Sequence, residues 1–141
     1  MTGLLILLVA AVVTVVIAVL MRWKNGRFAE RPADDREVLT PEQIGAPLGD
    51  RATLVQFSSA FCSPCRATRT LLTDIAGRLD GVVTVEIDAE AHLDLVRELH
   101  VMRTPTVLVL DADGVVSTRA SGLPRRDQVL AALDRAVASP G

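Results

Sequence analysis

The segment SSAFCSPCRATRTLL, residues 58–72, holds both cysteines of this 141-residue chain, Cys62 and Cys65, with only Ser63 and Pro64 between them. An apolar, strand-like run, ATLVQFSS (residues 52–59), leads into it. An amphipathic pattern leads out: Ala67, Leu71, Leu72, Ile75, Ala76 and Leu79 recur at helical spacing, with Arg66, Arg69, Asp74 and Arg78 between them. The cysteine pair is therefore expected where a strand turns into a helix. Three uses compete for it: a metal site, a structural staple and a redox reaction.

A structural zinc site takes four ligands, usually from two such pairs. This chain offers one pair and two histidines, His92 and His100, eight residues apart on one predicted helix. They cannot easily close together around one ion with the cysteines, which leaves a site shared within a dimer as the remaining metal reading. A disulfide stabilises mainly by closing a loop in the unfolded chain, and the effect grows with loop length. Two intervening residues close almost no loop, so the staple reading is weak. Redox reactivity is better supported. A cysteine at a helix start faces unbonded N–H groups and the positive end of the helix dipole, and both favour a thiolate. Lowering a thiol pKa from about 8.5 to about 7 raises the thiolate fraction at neutral pH from roughly 3% to roughly half. That shift corresponds to about 2 kcal/mol; the dipole supplies about 0.3–1 kcal/mol, so direct hydrogen bonds to the sulfur must supply the rest. Pro64 is tolerated in the first turn, where its missing N–H is not needed, and Arg66 falls on the solvated helix face. Cys62 then reads as the nucleophile, and Cys65, within the first turn, as the thiol that resolves a mixed disulfide.

Working outward, VVTVEID (residues 82–88) alternates at period two, with Val83, Val85 and Ile87 on one face, and Leu93, Val96 and Leu99 mark a second helix. TVLVL (residues 106–110) is wholly apolar, as a buried central strand is. DADG (residues 111–114) is turn chemistry leading to a strand in VVSTRAS, and apolar positions 129, 130, 133 and 137 close the chain with a helix. EVLTPEQIG, ahead of the first strand, is read as one more short strand and helix. The order β-α-β-α-β-β-α calls for an α/β fold, a mixed sheet with helices on both faces.

The N-terminal part has another character. Residues 4–21 are apolar except for Thr14, and every charged side chain of the chain lies after Met21. About 20 apolar residues cross a bilayer. Trp23, between Arg22 and Lys24, suits a membrane interface. A buried core helix would show a polar face. A cleaved secretory signal would show basic residues before the run and a small-residue site after it. Residues 1–21 are accordingly read as a transmembrane anchor contacting lipid through residues 4–21, residues 22–37 as a charged tether and residues 38–141 as the domain. Arg22, Lys24, Arg27, Arg31 and Arg36 follow the span and no Lys or Arg precedes it. The positive-inside rule then puts the domain in the cytoplasm of a single-pass membrane protein, with an extracytoplasmic domain as the alternative.

Taken together, LVQFSSAFCSPC, VEID, VMRTPTVLVLDADG and Gly122 resemble the thioredoxin family over about residues 38–138. The resemblance implies a thioredoxin-like mixed sheet flanked by helices and thiol–disulfide exchange with protein dithiols and disulfides. It implies Cys62 and Cys65 as catalytic residues and Pro105 after a cis peptide bond opposite Cys62. It further implies that the Thr104 backbone pairs with the substrate chain, and that Phe61, where such proteins often carry tryptophan, forms an apolar wall beside the sulfur. Two positions depart from the family pattern. Gln56 stands where a buried aspartate is common, six residues before Cys62, and cannot titrate; Thr84 stands where a lysine is frequent on the next strand. No bound cofactor or metal is implied, the electron donor stays unidentified, and nucleic-acid binding lacks a basic stripe interleaved with aromatics. In a cytoplasmic setting reduction is the expected direction. The alternatives are an extracytoplasmic protein for cytochrome maturation or envelope disulfide reduction, and a non-catalytic adaptor of the same fold docking a membrane partner.

Overall fold

A computed structural model of the chain describes residues 1–24, 28–30 and 36–138. The apolar run forms helix α1, Thr2–Lys24, long and apolar enough to cross a membrane and with none of that span buried against the domain. Thr14, the one polar side chain between Leu4 and Met21, donates to the Ala10 carbonyl at 2.8 Å, so its hydroxyl is satisfied within the helix.

The rest is built on a five-stranded mixed sheet of order β1-β5-β4-β2-β3. Its strands are β1 (Ala29–Glu30), β2 (Ala52–Ser58), β3 (Val82–Asp88), β4 (Thr106–Asp111) and β5 (Val116–Ser121). β2 runs parallel to β3, with Gln56 opposite Glu86, and antiparallel to β4, with Phe57 opposite Thr106. β4 and β5 form the hairpin that DADG promised, and Gly114 closes the turn at φ +84°, where any Cβ would lie 2.3 Å from the Leu39 carbonyl oxygen. The helices are α2 (Pro41–Ile44), α3 (Ser63–Arg78), α4 (Leu93–Glu98) and α5 (Arg126–Ala138). The alternation of the central strands divides the core in two. Val55, Phe57, Leu108 and Leu110 meet Ile44, Leu95 and Leu99 on one face. Leu54, Val107 and Val109 meet Leu72, Ile75, Val129 and Leu133 on the other. The expected mixed sheet with helices on both faces is the observed architecture.

Several local expectations shift for physical reasons. His92 and His100 do not share a helix: α4 is only six residues long, His92 is its N-cap and His100 follows it at φ +53°. Leu95, not Leu93, enters the core from α4, and Leu93 is exposed. Val83 is exposed because it lies near the start of the edge strand β3, on the face opposite Val82, which is the residue buried against Leu72 and Ile75 of α3. On α3 the buried position is Thr68 rather than Ala67, its hydroxyl donating to the Pro64 carbonyl at 2.9 Å. Ahead of β2, Thr40 caps α2 in a reciprocal capping box with Gln43. Val38 adds one bridge to Val115 rather than a full strand. The charged linker supplies β1, which pairs antiparallel with β5 at Ala29–Arg119 and Glu30–Thr118. Residues 25–27 and 31–35, with Arg27 and Arg31, lie outside the described residues.

Candidate active site

The first cysteine stands where the strand ends and α3 begins. Cys62 is the N-cap of α3, with φ −107° and ψ 98°, and its side chain makes no capping bond. The N-cap position sets Cys62 at the positive end of the dipole of a 16-residue helix, whose first-turn N–H groups make no bond to its sulfur in the disulfide form. Pro64 occupies the first turn, as Pro may where no N–H is used. Cys65 lies one turn on, at a Cα–Cα distance of 5.2 Å, and the two sulfurs are joined in a disulfide. Cys62 is half-buried and Cys65 is 2% exposed, so an incoming thiolate reaches the first sulfur and not the second.

Beneath the pair lies Gln56, fully buried in the middle of β2. Its Nε2 donates to the Cys65 carbonyl at 2.8 Å. A buried amide with a partner is the stable solution for a polar group at this position. Gln56 thus ties the sheet to the first turn of the helix that carries the cysteines, a contact that sequence reading does not reveal. Thr84, on β3, lies opposite Leu54 rather than Gln56, and the residue in register with Gln56 is Glu86. Glu86 pairs with Arg69 of α3 through a two-point contact, including Arg69 Nη2 to Oε1 at 2.8 Å. That contact raises the Arg69 pKa.

The segment before β4 comes to the same place. The Thr104–Pro105 bond is cis. The Thr104 hydroxyl is 3.1 Å from that of Ser59, linking this loop to the one that leaves β2. Thr106 Oγ1 donates to the Arg103 carbonyl at 2.6 Å, and the Gly122 N–H donates to the Pro105 carbonyl at 2.7 Å. Gly122 has φ +91°, a conformation that only glycine adopts without strain. Pro64, Thr104, Pro105, Gly122 and Leu123 line one open cleft. Phe61, next to Cys62, is 98% exposed, and Met102, two residues before Thr104, is 85% exposed. Met102 and Leu123 add apolar surface that sequence reading did not single out; the adjacent VMRTP and Gly122 motifs were the available signal. The charged side chains of the cleft, Arg22, Arg103 and Arg125, are all positive. Among the described residues no group of three or more His, Cys, Asp or Glu gathers as metal ligands.

Residues 38–135 match the family model Thioredoxin. Human Thioredoxin domain-containing protein 2 is 35% identical over 72 residues, covering 49% of this chain and only 13% of that protein's length. Thioredoxin of Chlamydia trachomatis is 24% identical over 94 residues, covering 67% of this chain and 91% of the relative. The crystal structure of thioredoxin f from spinach chloroplast superposes with a TM-score of 0.55 at 25% identity, covering 62% of this chain and 78% of the other. With the family model spanning more than half of its length, this chain belongs to the thioredoxin family.

Proposed function

We propose that the chain is a membrane-anchored thiol–disulfide oxidoreductase that reduces protein disulfides. The observation that carries the reading is one juxtaposition. A half-buried sulfur at the N-cap of α3 is bonded to a buried sulfur one turn on, beside a cleft lined by Thr104 and Pro105. In the reduced protein the Cys62 thiolate attacks a substrate disulfide. One substrate sulfur leaves as a thiol and a mixed disulfide forms. Cys65 then attacks Cys62, the second substrate sulfur leaves, and the enzyme is left as the Cys62–Cys65 disulfide while the substrate gains two electrons and two protons. Phe61 and the Thr104–Pro105 backbone form the substrate-binding edge; that Thr104 and Pro105 line the cleft and that Phe61 stands exposed next to Cys62 supports that role.

Residues 1–21 serve as the anchor, residues 22–37 as the tether and residues 38–141 as the catalytic domain. The charge-free run to Met21 and the basic residues that begin at Arg22 support a single-pass arrangement with the domain on the cytoplasmic side, where thiols are kept reduced. The test uses the full chain in detergent with insulin as the disulfide and dithiothreitol as the reductant. Turnover above the uncatalysed background is expected, with its loss in Cys62→Ser and accumulation of a covalent insulin adduct in Cys65→Ser. A native chain with no turnover and a Cys62 thiol pKa near 8.5 would leave the non-catalytic adaptor as the better reading.

A further inference from the structure

We infer that the redox site faces the membrane, and that the partner which reduces its disulfide is an integral membrane protein carrying a dithiol close to the headgroups. The inference rests on the membrane-anchor reading above and adds the direction in which the site looks. β5 runs from Val116 to Ser121 and ends beside the start of β4, with Ser121 opposite Thr106, so its C-terminal end lies at the pole of the sheet that carries Pro105 and the cysteines. β1 is antiparallel to β5, with Ala29 opposite Arg119 and Glu30 opposite Thr118. The chain must therefore enter β1 from the redox pole. Further along it follows the same direction, with Val38 bridging Val115 and Leu39 donating to the Gly114 carbonyl at the opposite pole.

Only residues 25–27 separate the end of α1 at Lys24 from Phe28. Four residue steps span at most about 14 Å, and Phe28 stands one step beyond the Ala29–Arg119 pair toward the Ser121 end of β5. The Lys24 end of α1 is thus held within that distance of a point close to the redox pole. In agreement, Val19, Arg22 and Trp23 line the same cleft as Pro64, Thr104 and Pro105. The cleft's charged side chains are all arginines, the sign that anionic headgroups attract.

The exchange balances with the partner's dithiol as reductant. One partner thiolate attacks Cys62 Sγ, the Cys62–Cys65 bond breaks, and Cys65 leaves as a thiolate. The partner's second thiolate then attacks the partner sulfur of the mixed disulfide and releases Cys62. Two electrons pass to this chain, two protons end on Cys62 and Cys65, and the partner is left as a disulfide.

The test reconstitutes the full chain carrying Cys65→Ser into vesicles with single-span helical peptides. Each peptide bears one cysteine as a thionitrobenzoate mixed disulfide, placed either at the bilayer surface or at the end of a Pro-rich spacer of about 40 Å. Release of thionitrobenzoate reports exchange at Cys62. The surface probe is expected to react about tenfold or more faster, because only it shares the site's effective concentration. Ala112→Cys, on the exposed turn of the opposite pole in a chain lacking Cys62 and Cys65, is expected to reverse that preference. The ratio of the two probes within each variant cancels differences in thiol reactivity. Inserting about 20 Gly/Ser residues after Asn25 should bring the Cys62 ratio near one. Equal rates for the two probes at Cys62, or a preference for the distant one, overturn the inference while leaving the anchor intact. A chain that fails to float with the vesicles overturns the anchor reading, and this inference with it.

Discussion

Gln56 gives the sharpest test of how the site is held. Its side chain is 1% exposed in the central strand β2, between Glu86 of β3 and Val107 of β4, and its Nε2 reaches the Cys65 carbonyl at 2.8 Å. In Gln56→Leu the volume is nearly kept and one buried hydrogen bond is lost. The Cys65 carbonyl lies in the first turn of α3 and keeps its intrahelical acceptor role, so the loss should be near the net value of one such bond, about 1 kcal/mol. For a domain of this size that is a fall in Tm of about 4–8 °C. Gln56→Glu separates the hydrogen bond from packing. An ionised carboxylate cannot donate to a carbonyl, while the protonated acid can, and burial also favours the neutral form. The folded-state pKa of the introduced carboxyl is therefore expected above its unfolded value of about 4.3. Such a group contributes its full stability below the unfolded pKa and loses it as pH rises through the folded pKa. A folded pKa of about 7 would cost about 4 kcal/mol by pH 8. Calorimetric melting of the full chain in detergent from pH 4 to 8, in parallel with the native protein, measures both variants. A Gln56→Leu chain as stable as the native one, with a flat difference profile for Gln56→Glu, would refute the argument that this contact fixes Cys65.

Asp74 of α3 is held below the usual carboxylate range by hydrogen bonds from Arg126 of α5 and Arg78. Its contribution is present above the unfolded carboxylate pKa and lost as pH falls through the lowered one, so the Tm difference between native and Asp74→Asn chains should shrink below about pH 4 and also shrink with added salt. Gly114→Ala combines φ +84° with a Cβ 2.3 Å from the Leu39 carbonyl oxygen. It should destabilise by about 2 kcal/mol or more in chemical denaturation. Gly77→Ala, within α3 with open space around it, should stabilise by about 0.5–1 kcal/mol. Phe61→Ala removes a side chain that is 98% exposed, so Tm should stay unchanged while insulin reduction slows through a raised KM.

The elements that periodicity reports best are those whose burial is one-sided or complete. β2 and β4 are buried along their whole length, and their continuous apolar runs announced them. α3 and α5 each bury one face, and their helical spacing was plain in the sequence. α4 was misjudged because six residues do not complete two turns; Leu93 and Leu95 are equally apolar, and only the register of the finished helix decides which is covered. At the site, the spacing of the cysteines and the TPT run were legible because chemistry demands those residues themselves. The anchoring of the cysteine turn by Gln56 was not legible. A lone glutamine in a strand carries no signal of which carbonyl, nine residues away, it will meet.

The relation between α1 and the domain was hidden for a different reason. The charge-free run is the clearest feature of the sequence, yet nothing in it says which pole of the sheet it adjoins. That is decided by two residues, Ala29 and Glu30, whose pairing with Arg119 and Thr118 is a matter of backbone hydrogen bonds and strand direction. Side-chain pattern does not specify the register of so short a strand, since a period of two cannot be expressed over two residues. Yet strand direction has a large consequence once the linker is short. With three residues between α1 and Phe28, an antiparallel β1 brings the span to the cysteine pole, and a parallel one would have brought it to the DADG turn. On the anchor reading proposed above, the polarity of a two-residue strand therefore sets which pole of the sheet adjoins the bilayer.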